Sequence, residues 1–263
     1  MTELVRLDIE HEIATITLDS PNNRNALSQR LITELATHLA VATADPAVRF
    51  IVLTHTGTVF CSGADLSEAA DGTGAAIGAT AALTLMRQII DARQPVVAVL
   101  RGPARAGGTG LVAASDIALV ADHVDFAFAE VSIGVAPAII SIPLLAKLAP
   151  RAAGQYLLSA ARFDCHEAAR IGLVTEAVPE AELDARLADL LTQLRRTAPG
   201  AVAATKHILT RSLRYDLDVH GQDMVELSAD LFNGAEARAG MQAFLTKTSP
   251  PWASIATTDK AQL

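Results

Sequence analysis

Pro95–Leu100 (PVVAVL) runs straight into Gly102–Gly110 (GPARAGGTG), and a helix start follows at Leu111–Ser115. A continuous apolar run this short is a strand buried on both faces, and such strands belong to sheets covered by helices. The junction predicts an α/β layout, and the rest of the chain repeats its grammar. Leu4–Glu10 and Ile13–Asp19 alternate apolar and polar residues around His11-Glu12, the pattern of a β-hairpin. Pro21-Asn22-Asn23 breaks the second strand. Ala26–Ala44 follows as an amphipathic helix with Leu27, Leu31, Leu35 and Leu39 at i+4 spacing. Phe50–Thr54 reads as a buried strand and Val59–Leu66 (VFCSGADL) as a second extended piece. Ser67–Thr80 reads as a lid or binding loop, and Ile77–Arg93 as a helix. Beyond the glycine-rich segment come strands at Ile117–Ala121 and Phe126–Ala129, an irregular stretch at Val135–Pro143, and one late strand at Val174–Val178. Helices are expected at Leu144–Leu148, Ala152–Ser159, Cys165–Ile171 and Ala181–Leu194. Asp164-x-x-Glu167 resembles a capping box for the third of them. The pattern divides the chain into a strand–strand–helix body, residues 1–195, and a helical region, residues 196–263. The apolar face of that tail (Met224, Leu227, Leu231, Phe232) packs on its own body or on a neighbouring subunit.

Composition narrows the function. The 263 residues are 51% hydrophobic and 19% charged, enough apolar residue for a sizeable core. Lys+Arg number 21 against 29 Asp+Glu, a net charge of −8. That balance argues against nucleic acid or an anionic membrane as the main partner. An anionic ligand must be gripped locally, by backbone N–H groups or a few arginines. Cys61 and Cys165 make no disulfide scaffold, and no Cys/His spacing suggests a metal. MTELVRLDIE lacks an apolar signal region and no stretch reaches the ~20 apolar residues of a membrane span, so a cytoplasmic protein is expected.

Gly107-Gly108-Thr109-Gly110 lies between a buried strand and a helix start. Glycines there let a ligand approach the backbone and leave N–H groups free at the positive end of a helix. Such a site binds phosphate or steadies a carbonyl oxygen that becomes negative during reaction. Gly108-x-Gly110-x-x-Ala113 also fits a loose dinucleotide fingerprint, with Asp122 as the ribose acid. Only Leu111–Ser115 remains for its crossover helix, too little for a unit that needs ~30 residues. A second segment, Cys61-Ser62-Gly63-Ala64-Asp65-Leu66, ends another extended piece. It can aim the N–H of Ala64 at the same point as that of Gly107, which would make an oxyanion hole. Glu130, directly after the strand Phe126–Ala129, is either a surface carboxylate or a partly buried acid/base. Beside the other two segments the catalytic reading is favoured.

Together these segments resemble the crotonase superfamily, the enoyl-CoA hydratases and isomerases. The likeness includes Asn22–Ser28, the CSGADL segment, the stretch ending Ser115-Asp116-Ile117, Glu130–Gly134, Phe163–Val174 and Met241–Trp252. The resemblance implies a spiral of ββα turns with a helical C-terminal region, assembled as a homotrimer or a dimer of trimers. It implies an acyl-CoA thioester as substrate, with coenzyme A present only as part of it, no separate cofactor and no metal. Ala64 and Gly107 then align with the two oxyanion donors and Glu130 with the acid/base. The substrate-binding surface comprises Arg24, Ala26, Ser62, Asp65, Leu66, Gly108, Gly110 and Lys247, with Arg24 and Lys247 placed for the CoA phosphates. Typical hydratases of the family use two glutamates, and the position of the first is Gly110 here. The Pro-Gly glycine found after the second in many of them is Ala138. A lone Glu130 suits Δ3-Δ2 double-bond migration, and it supports hydration if it both positions water and relays the proton, or if Glu68 or Asp71 closes in. Hydration is ranked first, on the likeness of VSIGVAPAIIS to branched hydratases. A nucleotide-dependent oxidoreductase and a CoA-binding protein without catalysis are the remaining alternatives.

Overall fold

A computed structural model describes residues 3–69 and 74–253. The alternating N-terminal runs form β1 (Val5–Glu10) and β2 (Ile13–Leu18), paired antiparallel from Val5–Leu18 to Glu10–Ile13. The helix read from Ala26 begins three residues later, as α1 (Gln29–Ala44). The Ser28 side chain caps it by accepting from Leu31 N. Leu27 is instead drawn into an extended bridge with Ala64, its N–H donating to Gly63 O at 2.8 Å.

β3 (Phe50–His55) follows, then α2 (Leu66–Ala69) and α3 (Ala75–Asp91). These helices occupy much of the expected Ser67–Thr80 loop, while Asp71 lies outside the described residues. Next come β4 (Val96–Leu100), β5 (Ala104–Arg105), α4 (Gly107–Ala114), β6 (Ile117–Ala121) and β7 (Asp125–Ala127). The glycine cluster is thus the first turn of a helix and not a turn before one. The chain reverses at Ala106, whose φ is +46°.

α5 (Ala138–Lys147) contradicts the irregular stretch expected at Val135–Pro143. Pro143 removes one bond inside it, yet Ile139, Ile140, Ile142 and Leu144 are all buried and hold the helix in place. α6 (Pro150–Ser159), β8 (Phe163–Asp164), α7 (Cys165–Ile171), β9 (Glu176–Val178) and α8 (Leu183–Arg195) complete the body. Half of the capping box is present: Asp164 Oδ1 accepts from Glu167 N at 2.8 Å, while the Glu167 carboxylate accepts from Tyr156 and Arg170.

The larger sheet runs β1-β2-β3-β4-β6-β9, parallel from β2 onward. β4 is buried at every residue, which is why PVVAVL carries no polar alternation. A smaller sheet, β5-β7-β8, lies apart from it, and the bridges Leu27–Ala64 and Cys61–Ala104 extend its ladder. The chain therefore visits the large sheet, the small ladder and a helix in turn: β3, Cys61–Ala64, α3; then β4, β5, α4. This is the spiral of ββα turns. Its helical C-terminal region is α9 (Pro199–Leu209), α10 (Arg211–Phe232) and α11 (Ala235–Thr246). Leu213, Leu217 and Val225 of α10 join the main hydrophobic core, and Met241 packs with Val135 and Ala237 in a smaller cluster. Leu227, which was expected on the apolar face of the tail, is exposed. Among the described residues, no helix is long and apolar enough to cross a membrane.

Candidate active site

The spiral brings the ends of its small ladder to one cavity of about 660 Å³. The loop before α1, the Ser62–Glu68 segment, the start of α4 and the Ala129–Ile140 stretch all reach its wall, and α3 and α10 close it. Arg24, Ala26, Ser62, Ala64, Asp65, Leu66, Gly107 and Glu130 line it together.

The backbone on one side is built from strained and glycine-dependent turns. Ala106 holds φ +46° with ψ −123°, outside the ordinary left-handed well. A residue of this kind carries about 1–3 kcal/mol of strain and persists only where its surroundings impose it. Here Ala106 N donates to Ala127 O, and Ala106 O accepts from both Thr109 N and the buried Thr109 hydroxyl. Gly63 faces this turn with φ +94°, and a Cβ on it would lie 2.8 Å from the Ala106 Cβ. Close approach of the two turns therefore requires glycine at 63. A Cβ built on Gly107 would stand only 3.8 Å from Ala64 N, so the two peptide groups are neighbours. Gly107 opens α4, where N–H groups have no partner within the helix. Among the described residues neither the Ala64 nor the Gly107 N–H meets an acceptor.

Glu130 opens a short 3₁₀ turn, Glu130–Ile133, just past β7. Only 9% of it is exposed, and its Oε2 has no hydrogen-bond partner among the described residues. Burial pushes its carboxyl up to about 7, opposed only by its own backbone N–H. A group poised there is able to give or take a proton near neutral pH. Burial also pushes the Cys61 thiol up to about 12, which leaves it a poor nucleophile.

The mouth of the cavity is charged. Arg24 lies exposed in the left-handed region at φ +58°, and its guanidinium has no partner among the described residues. Arg105, also on the wall, is held by Asp125 through two bonds of 2.7 and 2.8 Å. Sequence reasoning did not single out Arg105, Arg162 or Met86, although all three line the cavity. Glu68 lines it too, with Oε2 accepting from Gln29 N at 2.8 Å across the start of α1.

Gly108, Gly110 and Lys247 are not among the lining residues. Gly108 is pressed against Cys61, whose carbonyl oxygen would stand 2.6 Å from an added Cβ. Lys247 caps α11 in the left-handed conformation; that helix instead offers Phe244 and Leu245 to the cavity. Gly110 is roofed over, because an added Cβ would lie 2.4 Å from Met86 Cε and 2.6 Å from Ile140 Cγ2. The space that a carboxylate at 110 would enter is filled by a thioether and an isoleucine, and both residues line the cavity.

Comparison with known proteins gives one consistent result. A family model described as "Enoyl-CoA hydratase/isomerase" matches residues 8–255. A crystal structure of an enoyl-CoA hydratase from Mycobacterium avium superposes with a TM-score of 0.89 at 45% identity, covering 96% of this chain and 100% of that one. The carnitinyl-CoA dehydratase of Salmonella arizonae is 33% identical over 264 residues, 96% of this chain and 99% of its own length. Enoyl-CoA hydratase domain-containing protein 3 of Mus musculus is 31% identical over 247 residues, 91% of this chain and 81% of its own.

Proposed function

From the premise that this chain belongs to the enoyl-CoA hydratase/isomerase family, we propose that it acts on an acyl-CoA thioester by forming an enolate at the thioester carbonyl. The N–H groups of Ala64 and Gly107 hold that oxygen, each contributing roughly 3 kcal/mol of barrier lowering. Glu130 moves the proton, and coenzyme A enters only as the handle of the substrate. Arg24 meets its phosphates at the mouth of the cavity. The observation that carries this reading is the meeting of two unpartnered amides from separate turns in one cavity with a buried carboxyl whose Oε2 is also unpartnered.

Hydration of a 2-enoyl-CoA is the leading activity. Glu130 draws a proton from water as it adds to the β-carbon and returns one to the α-carbon. A second reading, migration of the double bond, is favoured by Met86 and Ile140 over Gly110. Those side chains make the wall apolar where a second carboxylate would hold water, and a single base that lifts a proton from one carbon and sets it on another needs no such group. The exposed apolar residues of the helical region, among them Leu209, Tyr215 and Val219, support assembly of copies into trimers.

The test is an assay on short, long and branched enoyl-CoAs that scores hydration by loss of conjugated absorbance and migration by its gain. Glu130→Gln is expected to lose whichever activity is present by 10²-fold or more. It should still bind acyl-CoA. Undiminished turnover in that variant would remove Glu130 from the mechanism.

A further inference from the structure

Eight polar or charged side chains are buried among the described residues. Six are anchored by hydrogen bonds: Asn25, Ser28, Gln94, Thr109, Ser115 and Lys206. The two exceptions are Glu130, whose Oε2 is fully enclosed without a partner, and Ser228, whose hydroxyl has no hydrogen-bond partner among the described residues but is not fully enclosed. Both line the same cavity. Ser228 is 7% exposed. A serine on a helix ordinarily returns its hydroxyl to the carbonyl four residues back, as Ser115 does to Leu111 O at 2.9 Å. Ser228 does not, and no other described residue bonds its hydroxyl. Its hydroxyl keeps some accessible surface, and Ser228 lines the cavity, so a partner that enters the cavity can reach it.

The position of Ser228 follows from how α10 lies on α3. Arg87 pairs with Asp218, and Leu83 packs at Gly221, so the two helices run in opposite directions. Ser228 is seven residues beyond Gly221, about 10 Å further along α10. That places it opposite the N-terminal end of α3. The α3 wall between is a row of small residues, Ala75, Gly78, Ala79 and Ala82, ending at Met86. An added Cβ on Gly78 would meet nothing within 4 Å. From Met86 back to Ala75 the helix rises about 16 Å. The cavity thus continues past the roofed Gly110 along this apolar wall of α3, with Ser228 on the facing helix and with Gln29 and Glu68 beside the start of α3.

Resting on the acyl-CoA reading above, we propose that the acyl group carries a hydroxyl or carbonyl oxygen on its distal part, and that Ser228 binds it. The apolar row takes the carbon chain and rejects a charged tail. The serine fixes the register of the chain by the oxygen it carries, in the way that a few placed polar groups orient a ligand in an otherwise apolar pocket.

The experiment compares 2-decenoyl-CoA with positional isomers bearing one hydroxyl on the distal half of the chain. Binding to Glu130→Gln is measured by calorimetry, and kcat/KM is measured with the otherwise unaltered protein. One isomer is expected to be preferred over the parent by roughly tenfold in both, the worth of one hydrogen bond. In Ser228→Ala that ratio should fall to about one. A flat response across the isomers, or a preference that survives in Ser228→Ala, overturns the assignment while leaving acyl-CoA binding intact. Absence of binding by every acyl-CoA would overturn the broader reading as well, so the two failures are distinguishable.

Discussion

Lys206 and Glu130 are both buried and both ionisable, and the protein treats them in opposite ways. Lys206 reaches in from α9 and is fully partnered: its Nζ lies 2.7 Å from Asp116 Oδ2, 3.0 Å from Ile89 O and 3.1 Å from Gln94 O. Burial holds it below the usual lysine range, while Asp116 pulls the other way. Glu130 is also buried, and its Oε2 has no hydrogen-bond partner among the described residues. A buried charge whose partners are all supplied is a fastener, here tying the helical region to the core of the spiral. A buried carboxyl without them is a cost the fold carries, and such costs gather where chemistry is done.

This contrast predicts different losses. Lys206→Ala leaves Asp116 without its cation, and breaking a buried pair in this way removes about 3–5 kcal/mol of stability. Urea denaturation checks it, and a loss below 1 kcal/mol would show that Lys206 is not a fastener. Glu130→Gln should do the reverse to stability, with a pH signature. The carboxyl is raised from 4.5 to about 7 on folding, so the folded state holds its proton more tightly than the unfolded chain does. It therefore adds no penalty below pH 4.5, and the penalty grows as pH rises toward 7. Above that it amounts to about 3 kcal/mol. The variant should match the parent protein near pH 4 and exceed it in stability at pH 8. A difference between the two that is flat across that range would contradict a raised carboxyl.

The smallest effect is expected at Gly110. Gly110→Ala pushes against Met86 Cε and Ile140, and overpacking of this sort costs about 1–3 kcal/mol. The low end is expected, because the methionine end is flexible. In a Met86→Ala background the cost of adding Gly110→Ala should fall to near zero in thermal melts, although Met86→Ala is itself destabilising. An unchanged cost of Gly110→Ala in that background would mean that Ile140, and not the thioether, closes the position.

Much of this architecture was legible from local pattern. The two alternating runs at the N-terminus, the apolar PVVAVL strand and the Asp164 N-cap are each decided by residues near one another in the chain. Ala64, Gly107 and Glu130 were legible for a related reason: small residues at strand ends and an acid at a third mark places where backbone is exposed. The errors lie where a distant segment overrides the local preference. Residues Ala26–Leu27 leave the helical pattern to pair with the Ala64 segment. Val135–Pro143 reads as irregular because of its prolines, yet Ala138 onward is helical because its isoleucines are buried.

What the sequence by itself determined is therefore the α/β order of elements and the segments that line the candidate site, since propensity and periodicity act over a few residues. Only the tertiary structure decided that Met86 lies over Gly110, that Asp116 receives Lys206, and that Ser228 is left unpartnered in the same cavity as Glu130. Each of these is a meeting of side chains far apart in the chain, set by how helices pack across the sheet, and no local pattern encodes which distant atoms will share a space.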